Sequence, residues 1–191
     1  MKRALVLVCG LLVLAAGCTS GQGSAVDVNN GGQFRFQEGT PSGKSIPVGK
    51  RATAPTFSGT LLDGSAFASS SLDGDVAVIN FWGSWCAYCR TEAPDLQRVY
   101  SESHARGTQF LGVDVKDPSR LAAAFIADHD ITYPSLYDYS SRVGLAFRDF
   151  PADTFPSTIV LDRHYRVAAV YTGQVTQKDL QKVVDQLLAE S

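Results

Sequence analysis

The feature that most constrains the fold is a pair of cysteines placed directly after a long apolar run. Val76–Trp82 is nearly all apolar, and Cys86 and Cys89 follow it in a C-x-x-C spacing. Such a run is typical of a strand buried on both faces of a sheet. A C-x-x-C pair where that strand gives way to a helix is positioned for thiol–disulfide exchange.

The two cysteines are predicted to have different roles. Cys86 lies at the helix N-terminus, where unpaired N–H groups and the helix dipole favour a thiolate. Cys89 lies one turn further on the same side, so it can resolve a mixed disulfide. We expect Cys86 to be the exposed attacking thiolate and Cys89 the more buried resolving thiol. The alternatives are an inert structural disulfide or half of a zinc site, but structural zinc takes four ligands and the three histidines are scattered, so no metal is predicted.

The N-terminus carries the pattern of an export signal. Lys2 and Arg3 precede an apolar stretch, residues 4–16, that is too short to span a membrane comfortably. The stretch closes with Leu-Ala-Ala-Gly-Cys18, which resembles a bacterial lipobox. That resemblance implies cleavage before Cys18 and attachment of a lipid to its sulfur. An ordinary secretory signal with a chance cysteine is the alternative.

Export changes both the thiol count and the charge. Cys9 leaves with the signal and Cys18 is acylated, so Cys86 and Cys89 are the only thiols left. Loss of two basic residues lowers the basic count from 17 to 15 against 19 acids, so the formal charge moves from −2 to −4. This mild acidity argues against nucleic-acid binding and against charge-driven attachment to an anionic membrane.

Composition divides the chain into three parts. Residues 1–17 are the predicted signal peptide. Residues 18–45, rich in Gly, Ser, Asn and Gln, are predicted to be a lipid anchor and flexible tether. Residues 46–191, roughly 145 residues, are long enough for one domain with a substantial core.

The globular part alternates strand and helix signals, which indicates a central mixed sheet with helices on both faces. Asp63–Gly64 is a turn signal for a hairpin ahead of the buried strand. The predicted strands are Ala54–Thr60, Ala66–Phe67, Val76–Trp82, Thr108–Val115, Ile131–Tyr137, Ser157–Asp162 and Val167–Thr172. The predicted helices are Cys86–His104, one capped by Asp117 with Pro118 as its first residue and ending near His129, Ser140–Phe147, and one that starts at a Thr176–Asp179 capping box.

This pattern resembles the thioredoxin fold, and more closely its extracytoplasmic, membrane-tethered TlpA/ResA/DsbE-like branch. The likeness runs from Val48 to the C-terminus. It implies a thioredoxin fold with an N-terminal hairpin extension and an inserted strand–helix unit. The stretches that carry it are Val48-Gly49-Lys50, Ala54-Pro55-Thr56-Phe57, Leu62-Asp63-Gly64, the run from Asn80 to Arg90, Glu92-Ala93-Pro94, Gly112-Val113-Asp114 and the run from Phe155 to Asp162.

The resemblance also implies a substrate-binding surface. Trp85 would flank the cysteines and shape the docking surface, although a core position is the alternative. Pro156 would be a cis-proline opposite the cysteines, and an ordinary turn proline is the alternative. The cis bond would leave the backbone of Phe155 free to pair with an extended substrate segment.

Glu92 is the candidate site carboxylate. In ResA-like members a glutamate at this place modulates the proton affinity of the cysteine pair, and a carboxylate near a thiol raises its pKa. Asn80 stands where cytosolic thioredoxins carry a buried aspartate, so we expect no titrating group at that position. We expect Glu92 to be partly solvated, and a plain surface residue is the alternative. Tyr88 replaces the proline of many relatives, which leaves the reduction potential open.

Together these features predict a lipid-anchored thiol–disulfide oxidoreductase on the extracytoplasmic face of the cell membrane. The resemblance implies reduction of disulfides in exported proteins such as apocytochrome c during cytochrome c maturation, with recycling by a membrane electron donor. No cofactor is expected beyond the Cys86–Cys89 pair. The alternative is the reverse reaction, disulfide donation. A copper-binding chaperone on the same fold is a remote alternative, because it would need a longer C-x-x-x-C loop and a histidine near the pair. A thiol peroxidase is another, but its cysteine normally lies in a Pro/Thr-rich loop without this C-x-x-C.

Overall fold

The computed structural model describes residue 40, residues 43–147 and residues 154–190. The predicted signal peptide and Cys18 lie outside the described residues. Seven strands form one sheet: β1 Ser58–Leu61, β2 Ala66–Ala68, β3 Val76–Trp82, β4 Thr108–Val115, β5 Ser135–Asp138, β6 Ser157–Leu161 and β7 Val167–Thr172. The helices are α1 Ala87–Ser103, α2 Ser119–Asp128, α3 Arg142–Ala146 and α4 Gln177–Ala189.

The sheet is mixed, as predicted, with the strand order β2-β1-β5-β4-β3-β6-β7. Its three central strands β5, β4 and β3 are parallel, whereas β1, β6 and β7 pair antiparallel with their neighbours. The carboxyl ends of the parallel strands therefore meet at one edge of the sheet. The start of β6 lies at the same edge, because Ser157 pairs with Phe81 near the end of β3.

Strand β3 has the predicted bounds, and every one of its residues is buried. Its side chains alternate between two cores. Val78 and Trp82 face the cluster formed with α1, α2 and α4, whereas Ile79 and Phe81 face a second cluster that includes Val143 of α3. Helices therefore cover both faces of a mixed sheet, which is the predicted architecture.

Helix α2 begins one residue later than predicted. Pro118 is its N-cap rather than its first residue, and Asp117 does not cap it. The carboxylate of Asp117 instead accepts hydrogen bonds from Ser84, because the loop before α1 lies against this turn. A contact between segments 33 residues apart decides the helix start, and local capping rules do not see it.

Two shorter elements also differ from the prediction. Strand β5 begins at Ser135 rather than at Ile131, since Pro134 has no N–H to give to a ladder. Helix α3 begins at Arg142, where the carboxylate of Asp138 accepts the backbone N–H groups of Arg142 and Val143 at 2.8 Å. The start of α3 therefore depends on capping by the end of the preceding strand.

The described N-terminal segment lies along the edge strand β7. The N–H of Thr40 donates to Val170 O at 2.7 Å, and that of Ile46 donates to Ala168 O at 2.6 Å. Arg51, which is buried, holds the segment by bonding Asp162. Of the helices that the structure describes, none has the length and hydropathy needed to cross a bilayer.

Candidate active site

The cysteine pair lies at the junction between the end of β3 and the start of α1. Cys86 is the N-cap of α1, and its N–H donates to Gly83 O at 3.0 Å across the turn. The carbonyl of Cys86 accepts the N–H of Arg90 at 3.3 Å, which starts the helix. The first thiol is therefore placed at the positive end of a 17-residue helix, as the sequence predicts.

Cys86 and Cys89 form a disulfide in the structure. The N–H of Cys89 points at Cys86 Sγ over 3.1 Å, a contact that strengthens when Cys86 carries the negative charge of a thiolate. Cys86 is 5% exposed and Cys89 is 2% exposed. The prediction of an exposed Cys86 is therefore wrong for the oxidised form, because its sulfur is turned into the first helical turn to reach Cys89. The predicted order of exposure holds.

Trp85 is the exposed aromatic beside the pair. Its side chain is 48% exposed, which confirms the predicted partial exposure and excludes a core position. The indole Nε1–H donates to Val115 O at 3.2 Å, and the ring meets Phe155 edge-on with centroids 5.3 Å apart. Trp82 is the core tryptophan, stacked on Phe125 at 4.4 Å. Trp85 thus has a fixed orientation at the surface of the site.

Gly83 allows this arrangement of the indole. A Cβ at Gly83 would lie 2.5 Å from Trp85 Nε1 and 2.7 Å from Cε2. The ring can pass this close only because residue 83 has no side chain. Sequence reasoning missed the requirement, since a glycine between a strand and a C-x-x-C loop looks like an ordinary turn residue.

The Phe155–Pro156 peptide bond is cis, as expected. Pro156 is buried and immediately precedes β6, at the same sheet edge as the end of β3. The Pro156 carbonyl accepts the N–H of Gly173 at 2.8 Å, which holds this turn against the end of β7. Trp85 and Phe155 therefore meet across the site from two different segments, and the structure brings the predicted substrate-binding residues together.

Glu92 is buried, contrary to the expectation of a partly solvated side chain. It is 1% exposed and lies on the inward stripe of α1 with Cys89 and Leu96. Spacings of three and four residues place these side chains on one helix face. This spacing indicated that Glu92 lies on the buried face of the helix. A charged residue is nevertheless expected to be solvated, so its burial was not predicted.

The Glu92 carboxyl is held by two donors from outside its helix. Asn80 Nδ2 donates to Oε1 at 2.8 Å, and the N–H of Val175 donates to Oε2 at 3.2 Å. Burial raises the pKa of Glu92 to about 7, although both hydrogen bonds act in the opposite direction. The site therefore contains a carboxyl that exchanges a proton near neutral pH, one helical turn from Cys89.

Asp114 and Asp117 are further buried acids near the site that sequence reasoning missed. Asp117 accepts Ser84 N–H at 2.5 Å and Ser84 Oγ–H at 2.9 Å. Asp114 is fully buried on β4. An acid inside an otherwise apolar strand was the signal for Asp114, but the contact of Asp117 with Ser84 is not visible in the sequence.

Tyr88, between the cysteines, is 66% exposed, and no role for it follows from its contacts. Beside Trp85 a groove of about 480 Å³ runs along α2, with Leu121 and Phe125 in its wall. Within the described residues there is no group of three or more His, Cys, Asp or Glu side chains arranged to hold a metal ion.

The chain matches one family model and two relatives that are named for thiol–disulfide exchange. A model described as the AhpC/TSA family matches residues 50–170. The chain is 30% identical over 160 residues to the thiol:disulfide interchange protein HelX of Rhodobacter capsulatus, covering 83% of this chain and 87% of that protein. It is 29% identical over 143 residues to the thiol-disulfide oxidoreductase ResA of Geobacillus kaustophilus, covering 75% of this chain and 79% of that one.

Two solved structures have the same fold. A secreted thiol-disulfide isomerase from Corynebacterium glutamicum matches with a TM-score of 0.76 and 34% identity, over 84% of this chain and 100% of that one. A DsbF homologue from Corynebacterium diphtheriae matches with a TM-score of 0.72 and 36% identity, over 80% of this chain and 99% of that one.

Proposed function

The chain belongs to the AhpC/TSA family and is a thiol–disulfide oxidoreductase, and we propose that it works as a reductant of disulfides in exported proteins. The observation that carries the proposed direction is the buried Glu92 carboxyl next to the cysteine pair. A carboxylate close to a thiolate destabilises it by like-charge repulsion. A dithiol whose thiolate is poorly stabilised gives up its electrons more readily. The Cys86–Cys89 pair therefore favours donating electrons, that is, reducing the substrate disulfide.

Reduction proceeds in two exchange steps. The Cys86 thiolate attacks one sulfur of the substrate disulfide, and that disulfide breaks as the mixed disulfide forms and one substrate thiolate leaves. Cys89 then loses its proton and attacks Cys86 Sγ, which releases the second substrate thiolate. Two electrons have passed to the substrate, which takes up two protons as its thiolates become thiols, and Cys86–Cys89 is oxidised.

Glu92 is suited to manage the proton of the second step. Its pKa of about 7 means that it exists in both protonation states near neutral pH. It follows Cys89 by three residues on the same buried stripe of α1. An ionised Glu92 can therefore take the proton of Cys89 when this thiol becomes the attacking group.

The substrate segment would lie across Trp85 and Phe155. The two rings meet at 5.3 Å and form an aromatic surface next to Cys86. An extended segment that carries the substrate cysteine would pair with the backbone ahead of Pro156 by β-addition. The groove walled by Leu121 and Phe125 would take an apolar side chain next to that cysteine.

Location and substrate are the remaining parts of the proposal. The lipobox ending at Cys18 supports a lipid-anchored protein on the extracytoplasmic face. The resemblance to ResA-like proteins supports apocytochrome c, with its haem-attachment cysteine pair, as the substrate. A membrane electron donor would then return the Cys86–Cys89 disulfide to the dithiol.

Disulfide donation is the second candidate. The contact of Cys89 N–H with Cys86 Sγ and the position at a helix N-terminus favour a thiolate, and hence a more oxidising pair. The two effects oppose each other at the same sulfur. Glu92 decides for reduction in this proposal because its buried carboxylate carries a full negative charge when ionised, whereas the helix terminus contributes only a partial positive charge.

Trapping of mixed disulfides in the intact envelope tests the proposal. Cys89→Ala leaves the first step intact and blocks the second, so exported proteins should accumulate on Cys86 through a disulfide. Cys86→Ala is the matched control and should trap few. Identification of the trapped proteins by mass spectrometry should give c-type apocytochromes. Recovery of an electron-accepting membrane oxidase instead would support disulfide donation and contradict the proposal.

The anchor has its own test. Wild-type protein should begin at Cys18, carry lipid and partition into detergent, and Cys18→Ala should leave an unlipidated precursor. A water-soluble mature chain cut at another position, seen by intact mass, would contradict the anchor and leave the redox chemistry untouched.

A further inference from the structure

The segment ahead of the disulfide is held by a single acidic side chain. Ser84 precedes Trp85 and Cys86. Its backbone N–H and its hydroxyl group both donate hydrogen bonds to the Asp117 carboxylate, at 2.5 and 2.9 Å. Lys116, the residue before Asp117, adopts the left-handed backbone conformation with a φ of 53°. That turn lets Val115 O accept the Trp85 indole while Asp117 reaches Ser84.

Asp117 in turn lies against a second buried acid. The carboxyl groups of Asp114 and Asp117 are within hydrogen-bonding reach of each other, and both residues are fully buried. Among the described residues no N–H or O–H group donates to either carboxylate oxygen of Asp114. A hydrogen bond between two carboxyl groups forms only when one of them holds a proton.

The surroundings decide which acid carries that proton. Asp117 already accepts two hydrogen bonds from Ser84, whereas none of the described residues donates to Asp114. Burial, and then the charge of Asp117, raise the pKa of Asp114 to about 8. Asp114 is therefore the protonated member at neutral pH.

We propose that Asp114 is a positioning residue whose protonated carboxyl donates a hydrogen bond to Asp117, and that this pair fixes the Ser84–Trp85 segment directly ahead of Cys86. The inference goes beyond the proposed function, because it applies to exchange in either direction. It names two residues that act on the disulfide through the backbone ahead of it and do not touch the sulfurs.

Ionisation of Asp114 would release the segment. Two adjacent buried carboxylates repel each other, so one of them must move. The backbone of Asp114 is held in place, since β4 is paired on both sides, with Trp82 and Tyr137 opposite Asp114 in register. The turn that carries Asp117, and with it Ser84, is the part that yields.

Other charged groups face the acidic pair from the elements around it. Asp138 at the end of β5 raises the pKa of Asp114 further. Tyr137 lies opposite Asp114 on β5, and Lys116 precedes Asp117 in the turn. Arg90 of α1 donates to the carbonyl of Ser84 and lines the groove on the outer side of Asp117 together with Asp128 and His129 of α2. Of the groups named here, the Asp114–Asp117 pair is the one whose hydrogen bond needs a proton that is lost as the pH rises.

The test is the rate at which dithiothreitol reduces the Cys86–Cys89 disulfide, followed by tryptophan fluorescence across the pH range. Asp114→Asn keeps the shape and donates an amide N–H to Asp117 at every pH. The ratio of the wild-type rate to the Asp114→Asn rate cancels the titration of the reagent itself. Asp130→Asn, at an exposed acid just after α2 and outside the groove, is the matched control and should follow wild type throughout.

We expect the ratio to be near unity in mild acid and to rise with a midpoint near pH 8. The rise should be about tenfold, the size expected when a hydrogen bond to a charged group no longer fixes the segment ahead of Cys86. A ratio that stays flat through this range would overturn the proposal, because the rates of wild type and Asp114→Asn would then change equally with pH.

A second measurement covers the case in which Asp114→Asn does not fold. The Glu92→Gln variant lacks the other buried carboxyl of the site whose pKa lies near neutrality. Infrared difference spectra of this variant are recorded across the pH range. A protonated carboxyl band that disappears with a midpoint near pH 8 supports the proposal. The lack of such a band in neutral solution overturns it, because Asp114 would then be ionised.

Discussion

Asn80 Nδ2 donates a hydrogen bond of 2.8 Å to Glu92 Oε1, and both side chains are buried. Asn80 also donates to Thr158 Oγ1 at 3.0 Å, so it connects β3, β6 and α1 beside the cysteine pair. An amide at position 80 cannot titrate, but it orients a carboxyl that does. The proton-exchanging group of the site thus sits on the helix, and the strand residue positions it.

Replacement of Glu92 by glutamine should lower the pKa of the Cys86 thiol. The variant removes a negative charge that opposes thiolate formation, and the shift should be about one unit. The measurement is thiolate absorbance against pH in the reduced protein. Glu102→Gln, an exposed acid near the other end of α1, is the control and should leave the titration unchanged. An unchanged titration in Glu92→Gln would remove Glu92 from the site.

The same variant should change the pH dependence of stability. Burial raises the folded-state pKa of Glu92 from 4.5 to about 7, so the folded protein binds this proton more tightly than the unfolded chain does. Its stabilising contribution is complete below pH 4.5 and is lost as the pH rises to about 7. Relative to Glu92→Gln, wild type should lose about 3 kcal/mol over this range.

Urea unfolding at a series of pH values measures that difference. The hydrogen bond lost in glutamine adds a constant offset, and Asp114 titrates in both proteins, so the slope between them reports Glu92 alone. A difference that does not vary with pH would show that Glu92 is ionised throughout, as a solvated carboxylate would be.

Asn80→Asp should act in the opposite direction to Glu92→Gln. An aspartate would place a second carboxyl against Glu92 Oε1 and so add a second potential negative charge beside the cysteine pair. The Cys86 thiol should then titrate at higher pH than in wild type. Thr158→Val removes a neutral partner of Asn80 and should not shift the thiol. A thiol pKa lowered by Asn80→Asp would contradict the arrangement.

Gly83→Ala tests the orientation of Trp85. The new Cβ would clash with the indole at 2.5 Å, so the ring must leave its contacts with Val115 O and Phe155. We expect a changed near-ultraviolet circular dichroism signal and about a tenfold lower rate of exchange with protein substrates. At Gly49 a Cβ meets nothing within 4 Å, so Gly49→Ala is the control. Unaltered aromatic dichroism in Gly83→Ala would show that the clash is relieved elsewhere.

The sequence predicts the frame of the site because its signals are local. The buried strand Val76–Trp82 has the bounds predicted from its apolar run, and Cys86 caps the helix that follows. The Thr176–Asp179 cap of the last helix is likewise present, with Thr176 accepting Asp179 N–H. Such features depend on residues a few positions apart, which periodicity and capping rules describe.

The electrostatics of the site were not predictable in the same way. Glu92 meets a partner 12 residues away and another 83 residues away, and Asp117 meets Ser84 across 33 residues. Burial by distant segments decides whether a carboxyl is solvated, so a local pattern gives the identity of the acid without its pKa. The same holds for Cys86, whose 5% exposure in the disulfide form does not follow from its place at the start of a helix.

The reduction potential of the Cys86–Cys89 pair tests the central claim most directly. The protein is equilibrated with mixtures of reduced and oxidised dithiothreitol, and the dithiol fraction is read by alkylation. We predict a potential at or below about −270 mV, the range of reducing members of this fold, and a less negative value in Glu92→Gln. A wild-type potential near about −120 mV, the range of strong disulfide donors, would contradict the account.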